Sequence, residues 1–87
     1  MYKVELSSKA KKNLAKLEKK QAIMITAWIR KNLSGCDNPR LYGKAMQGKY
    51  KTLWRYRVGE YRIIAHIEDG KMVILLLKIG HRKKIYK

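Results

Sequence analysis

Apolar and polar positions alternate over residues 2–6, with Tyr2, Val4 and Leu6 set against Lys3 and Glu5, which predicts a short strand. Ser7 and Ser8 follow as capping residues, since a serine oxygen accepts a free N–H of a helix's first turn. Ala10, Leu14 and Leu17 then recur at helical spacing, while Lys9, Lys11, Lys12, Lys16, Lys19 and Lys20 crowd the remaining surface. A second helix carries Ala22, Ile25, Ile29 and Leu33 on one stripe, which Met24, Ala27 and Trp28 widen. Gly35 ends it, and Asp37-Asn38-Pro39 is turn chemistry, so the two helices read as a packed antiparallel hairpin. Past a loop containing Gly43 and Gly48, the period changes to that of strands at 53–58, 61–67 and 71–79. Gly59-Glu60 suits a type II′ turn and Asp69-Gly70 a type I′ turn between them. The order β-α-α-β-β-β predicts a single α+β domain over 1–87, with an N-terminal strand, a helical hairpin, an antiparallel strand meander and a basic C-terminal tail.

These turns fix a register. A two-residue turn at Gly59-Glu60 pairs Val58 with Tyr61, Arg57 with Arg62, Tyr56 with Ile63 and Arg55 with Ile64. One face then carries Trp54, Tyr56, Val58, Tyr61, Ile63, Ala65 and Ile67 for the core; Arg55, Arg57, Arg62 and His66 share the other. A two-residue turn at Asp69-Gly70 pairs Arg62 with Leu77 and Tyr61 with Lys78, so that Gly80-His81-Arg82 emerges beside the first turn. Arg57, Arg62, His81 and Arg82 are thus expected to converge at one end of one face, with Arg55 a step further in. Like charges opposed on neighbouring strands repel, and an anion between them relieves the repulsion. Guanidinium groups suit phosphate because their planar fork donates two parallel hydrogen bonds.

Charge sharpens the picture. The chain has 87 residues and a formal net charge of +16, from 22 Lys and Arg against six Asp and Glu, which draws it towards polyanions: nucleic acid first, an acidic protein second. Lys49, Lys51, Lys83 and Lys84 join Arg57 as expected RNA-binding residues, and in the tail basic charge lies beside Ile85 and Tyr86, which fits phosphate neutralisation with base stacking. Two histidines, one cysteine and scattered carboxylates offer no metal-ligand spacing, so neither metal nor cofactor is expected. The apolar run 72–77 is too short to span a bilayer. With a lone cysteine, Cys36, and an N-terminus unlike a signal peptide, a cytoplasmic location and no membrane partner are expected.

The run Leu53-Trp54-Arg55-Tyr56-Arg57-Val58-Gly59-Glu60-Tyr61-Arg62, followed by Ile79-Gly80-His81-Arg82 and Ile85-Tyr86, resembles the RelE branch of the RelE/ParE toxin superfamily, and the resemblance covers essentially the whole chain. It implies the RelE-like microbial RNase toxin fold and a toxin of a type II toxin–antitoxin system. The implied activity is metal-independent, ribosome-dependent mRNA cleavage in the A site, by attack of a ribose 2′-OH on the adjacent phosphate. The implied partners are the ribosome and an acidic, RelB-like antitoxin. By position, Arg62 matches the family's phosphate-gripping arginine, Arg82 the arginine near the leaving oxygen, and Tyr86 the C-terminal tyrosine that stacks on or orients substrate. Leu53 and Arg55 stand where the archetype has lysines, and Arg40 where some relatives carry a glutamate base. Arginine cannot take a proton at biological pH, which leaves His81, an imidazole being the side chain suited to proton transfer near neutral pH, as the expected acid or base. ParE-like relatives, which block DNA gyrase, and a non-catalytic RNA- or ribosome-binding module are the alternatives.

Overall fold

The computed structural model describes residues 1–86; Lys87, at the end of the basic tail, lies outside the described residues. Seven elements follow one another: β1 (Lys3–Leu6), α1 (Ser8–Lys16), α2 (Lys19–Asn32), β2 (Lys44–Ala45), β3 (Trp54–Val58), β4 (Tyr61–Glu68) and β5 (Val73–His81). The strands form one sheet in the order β1-β5-β4-β3-β2. The α+β architecture holds, with two additions to the meander: β1 joins β5 in parallel, and the short β2 pairs antiparallel with β3 inside the loop that holds Gly43 and Gly48.

Both helices cover the same sheet face. Ala10 from α1 and Ile25 and Ile29 from α2, followed by Leu33, meet Tyr56, Val58, Ile63, Ala65, Ile74, Leu76 and Ile79 in one buried cluster. The stripe on α2 is narrower than its sequence suggests, because Met24 and Ala27 are exposed. Ser7 caps α1 by accepting from the Ala10 N–H at 3.0 Å, and its hydroxyl donates to the Leu77 carbonyl at 2.9 Å. Asn13 accepts from the Ile79 N–H at 2.9 Å. Helix α1 thereby satisfies polar groups of β5 beyond the end of β1, which would otherwise form an open sheet edge.

The first hairpin has the expected register, with Val58 opposite Tyr61 and Arg57 opposite Arg62, and Gly59 takes the positive φ (58°) that its turn requires. The second hairpin departs from expectation twice. Asp69-Gly70 is not a two-residue type I′ turn: Asp69–Lys71 forms a 3₁₀ turn, Met72 adopts a left-handed φ of 54°, and Glu68 pairs with Val73. Further along, Ala65 pairs with Leu76 but Ile64 with Lys78, which leaves Leu77 as a bulge. Arg62 therefore lies opposite Gly80 rather than Leu77, and Tyr61 opposite His81 rather than Lys78. The longer turn moves the pairing without changing faces; the bulge, one residue, exchanges them.

Candidate functional site

The sheet face away from the helices carries the cations. On β3 and β4, Arg55, Arg57 and Arg62 alternate with the buried Tyr56, Val58 and Ile63, so burying the apolar set turns the guanidinium groups outward. Lys44 joins them because β2 places it opposite Arg55. Gly43 makes that placement possible: it has φ +80°, and a Cβ there would come within 2.2 Å of the Arg55 carbonyl oxygen and 2.8 Å of the Trp54 indole nitrogen. Gly43, Lys44, Arg55, Arg57 and Arg62 line a cleft of about 290 Å³.

The arginines are held differently. Arg62 donates from Nη1 to the carbonyls of Gly59 (3.1 Å) and Tyr61 (3.0 Å), which fixes it on the hairpin tip. Desolvation, then the charges of Arg57, Arg55 and Arg82, push its guanidinium below its ordinary value, although Tyr86 partly offsets them. Arg57 is exposed. Arg55 donates from Nη1 to the Tyr86 hydroxyl at 3.3 Å. Arg82 is latched to the same tip: its Nε donates to Glu60 at 2.6 Å and its backbone N–H to the Glu60 carbonyl at 2.8 Å. Glu60 is thus a carboxylate among the cations, and with Lys44 it is what residue-by-residue reading missed. Glu60 stood in the sequence only as a turn residue, and Lys44 only as part of a loop.

His81 does not join the arginines. The bulge sends it to the helix-covered side, edge-on to Tyr61 with ring centroids 5.6 Å apart. There its Nδ1 accepts from the Lys83 N–H at 3.2 Å, and its carbonyl accepts from the N–H groups of Lys84 (2.9 Å) and Ile85 (3.0 Å). This turn returns the tail over the open face, where Ile85 is buried against Gly80; a Cβ on Gly80 would lie 3.2 Å from the Ile85 Cδ1. Tyr86 follows Ile85 onto Arg55.

Of the expected RNA contacts, Arg57 lines the cleft, Lys83 and Lys84 are exposed on the C-terminal turn, and Lys49 and Lys51 are exposed in the segment between β2 and β3. Lys49 carries its ammonium 5.2 Å from the Tyr50 ring centroid. Arg40, where some relatives have a carboxylate, points elsewhere and forms a two-pronged pair with Asp69 at 2.9 and 3.0 Å. Among the described residues no three His, Cys, Asp or Glu side chains gather as metal donors, and no helix is long and apolar enough to cross a membrane. A concave cluster of guanidinium groups beside an exposed tyrosine can grip a phosphodiester and stack a base.

Comparison with known proteins agrees with this fold. Residues 4–86 match the family described as the ParE toxin of type II toxin–antitoxin system, parDE. Toxin RelG of Mycobacterium tuberculosis is 26% identical over 86 residues, which span 99% of this chain and 97% of RelG. In the RelBE2 toxin–antitoxin complex of the same organism, one chain superposes with a TM-score of 0.84 at 25% identity, covering 93% of this chain and 91% of that one. The isolated E. coli RelE toxin shares the fold, with a TM-score of 0.74 at 18% identity over 93% of this chain and 84% of that one.

Proposed function

The chain belongs to the ParE toxin family of type II toxin–antitoxin systems, as a RelE-type toxin of the RelE/ParE superfamily, and from that premise we propose that it is a metal-independent endoribonuclease that cuts mRNA on the ribosome. The observation that carries the proposal is the cleft of Lys44, Arg55, Arg57 and Arg62 with Tyr86 at its side. RNA brings its own nucleophile. As the 2′-oxygen bonds to phosphorus, the P–O5′ bond breaks, which leaves a 2′,3′-cyclic phosphate and a 5′-hydroxyl. Negative charge grows on the phosphoryl oxygens, and fixed cations in a partly dehydrated cleft stabilise that charge more than they stabilise the ground state. Arg62, held on the turn carbonyls, is the principal clamp; Arg57 and Arg55 add charge, and Arg82 stands near the leaving oxygen. Lys44, an ammonium rather than a guanidinium, supplies the proton that the departing 5′-oxygen needs. The 2′-OH proton passes to solvent, so most of the acceleration is electrostatic. His81 acts at one remove, by holding the turn that seats Ile85 and Tyr86.

So basic a surface needs covering between uses. The solved relatives of M. tuberculosis, E. coli and Pyrococcus horikoshii are RelE chains complexed with RelB, and an acidic RelB-like antitoxin is the implied partner here. The cell compartment of such a pair is the cytoplasm, where translating ribosomes are.

Purified protein incubated with programmed ribosomes should give cuts in the message that primer extension maps at codon spacing. Arg62→Ala should lower the cleavage rate roughly 10²-fold or more. Intact message, or accumulated gyrase–DNA breaks in its place, would overturn the reading.

A further inference from the structure

The open face has a second cleft. It holds about 350 Å³ and is walled by Tyr50, Leu53, Ile64, Ile85 and Tyr86, with Lys78 beside them. Its character is unlike that of the arginine cleft: two partly exposed aromatic rings, four aliphatic side chains (Leu77 is the fourth) and two cations, Lys9 and Lys78, where the other has four. Tyr50 is 41% exposed and Tyr86 48% exposed, so both rings offer surface to a ligand. A third depression, which includes Lys44, Arg55 and Tyr86, connects the two: Lys44 and Arg55 also line the arginine cleft, and Tyr86 also lines the aromatic one. Anion-gripping cations thus run continuously into an aromatic slot.

We propose that this slot binds one unpaired nucleobase of the RNA, next to the phosphate held by the arginines, and that Tyr50 is the ring on which that base stacks. The proposal rests on the RNA-cleaving reading above and adds where the base goes. A nucleotide joins an anion to a flat, largely apolar ring with polar edges, and the paired clefts present complements to both halves. Unstacked bases of single-stranded RNA gain by stacking on aromatic side chains, and the gain tolerates different bases because each has a π-face. Selection among bases then falls to groups at the rim, where Lys78 donates hydrogen bonds to ring oxygens and nitrogens. Tyr50 is well placed to be the variable wall, since it lies in the segment between β2 and β3 and outside the buried core.

The test compares two oligomers of equal charge by fluorescence anisotropy: a non-cleavable 2′-O-methyl RNA and the same backbone without bases. The 87-residue chain should bind the base-bearing oligomer about fivefold or more tightly. Tyr50→Ala should remove most of that preference and leave the salt dependence of binding unchanged, while Tyr50→Phe should keep it. An undiminished preference in Tyr50→Ala, or its loss in Tyr50→Phe, overturns the assignment. So does a Tyr50→Ala variant that loses only its grip on an acidic protein partner. If messages are cut normally and only the preference is unmoved, the slot alone is misassigned; if neither oligomer binds and ribosome-bound message stays whole, the RNA-cleaving reading falls with it.

Discussion

At the scale of single residues, the cations were legible and their arrangement was only partly so. Arg55, Arg57 and Arg62 could be placed on one face because the glycine turn at 59 fixes their register and the alternate positions are apolar. Glu60 gave no comparable signal, yet it decides where Arg82 points, through the 2.6 Å pair that ties the strand end to the hairpin tip. Both partners are about half exposed, so the pair adds little to stability, and its effect belongs to positioning. Glu60→Ala should therefore lower kcat for cleavage roughly tenfold, while RNA affinity holds or rises because one negative charge has left the site. In an Arg82→Ala background the same substitution should cost nothing more. Steady-state kinetics of the double-mutant cycle decide the matter: an equal loss in both backgrounds would mean that Glu60 acts on its own rather than through Arg82.

At the scale of elements, the helices and the first hairpin follow from periodicity and turn chemistry, while the second hairpin does not. Its buried positions run Ile74, Leu76, Ile79, and the step of three at the end is the trace of the bulge. The continuous apolar run through Leu75 and Leu77 hides that step, because every position there looks fit for a core. His81 was misplaced for this reason, not for any feature of its own. The turn between β4 and β5 also has a task that local sequence does not announce. Asp69 accepts from both guanidinium arms of Arg40 and, at 2.7 Å, from the Tyr2 hydroxyl, which joins the turn to the chain's start and to the loop after α2. Hydrogen bonds from Arg40 and then Tyr2 hold the Asp69 carboxyl below its ordinary range. The Asp69 carboxylate itself, hydrogen-bonded to Tyr2, raises that phenol. A lowered carboxyl contributes stability that is complete above its unfolded value, near ~3.9, and is lost as pH falls through its folded one. A raised phenol contributes stability that is complete below its unfolded value, near ~10, and is lost as pH rises through its folded one. Urea midpoints measured from neutral to acid pH should fall less steeply in Asp69→Asn than in the parent chain; parallel acid limbs would deny the clamp its role.

At the scale of the whole molecule, the net charge of +16 sets folding and function at odds. Of the six side-chain carboxylates, Asp37, Glu60, Glu68 and Asp69 already sit in ion pairs, which leaves most of the Lys and Arg among the described residues without a paired counter-charge. The composition announced this excess; only the fold shows that four of those cations share one cleft on the open face, where like charges repel and a bound phosphate would relieve them. Added salt should then act in opposite directions on the two properties. It screens self-repulsion, so the thermal midpoint of the free protein should rise between low and moderate ionic strength. It also competes with the protein for phosphates, so RNA affinity should fall, with a log–log slope of about −3 if Lys44, Arg55, Arg57 and Arg62 carry the contact at about −0.7 each. A slope near zero would remove phosphate gripping from the site, and a midpoint that drops with salt would show that the ion pairs outweigh the repulsion. On the reading proposed above, an acidic antitoxin would relieve the same repulsion without salt, so partner and RNA would be drawn to this face by the same cations.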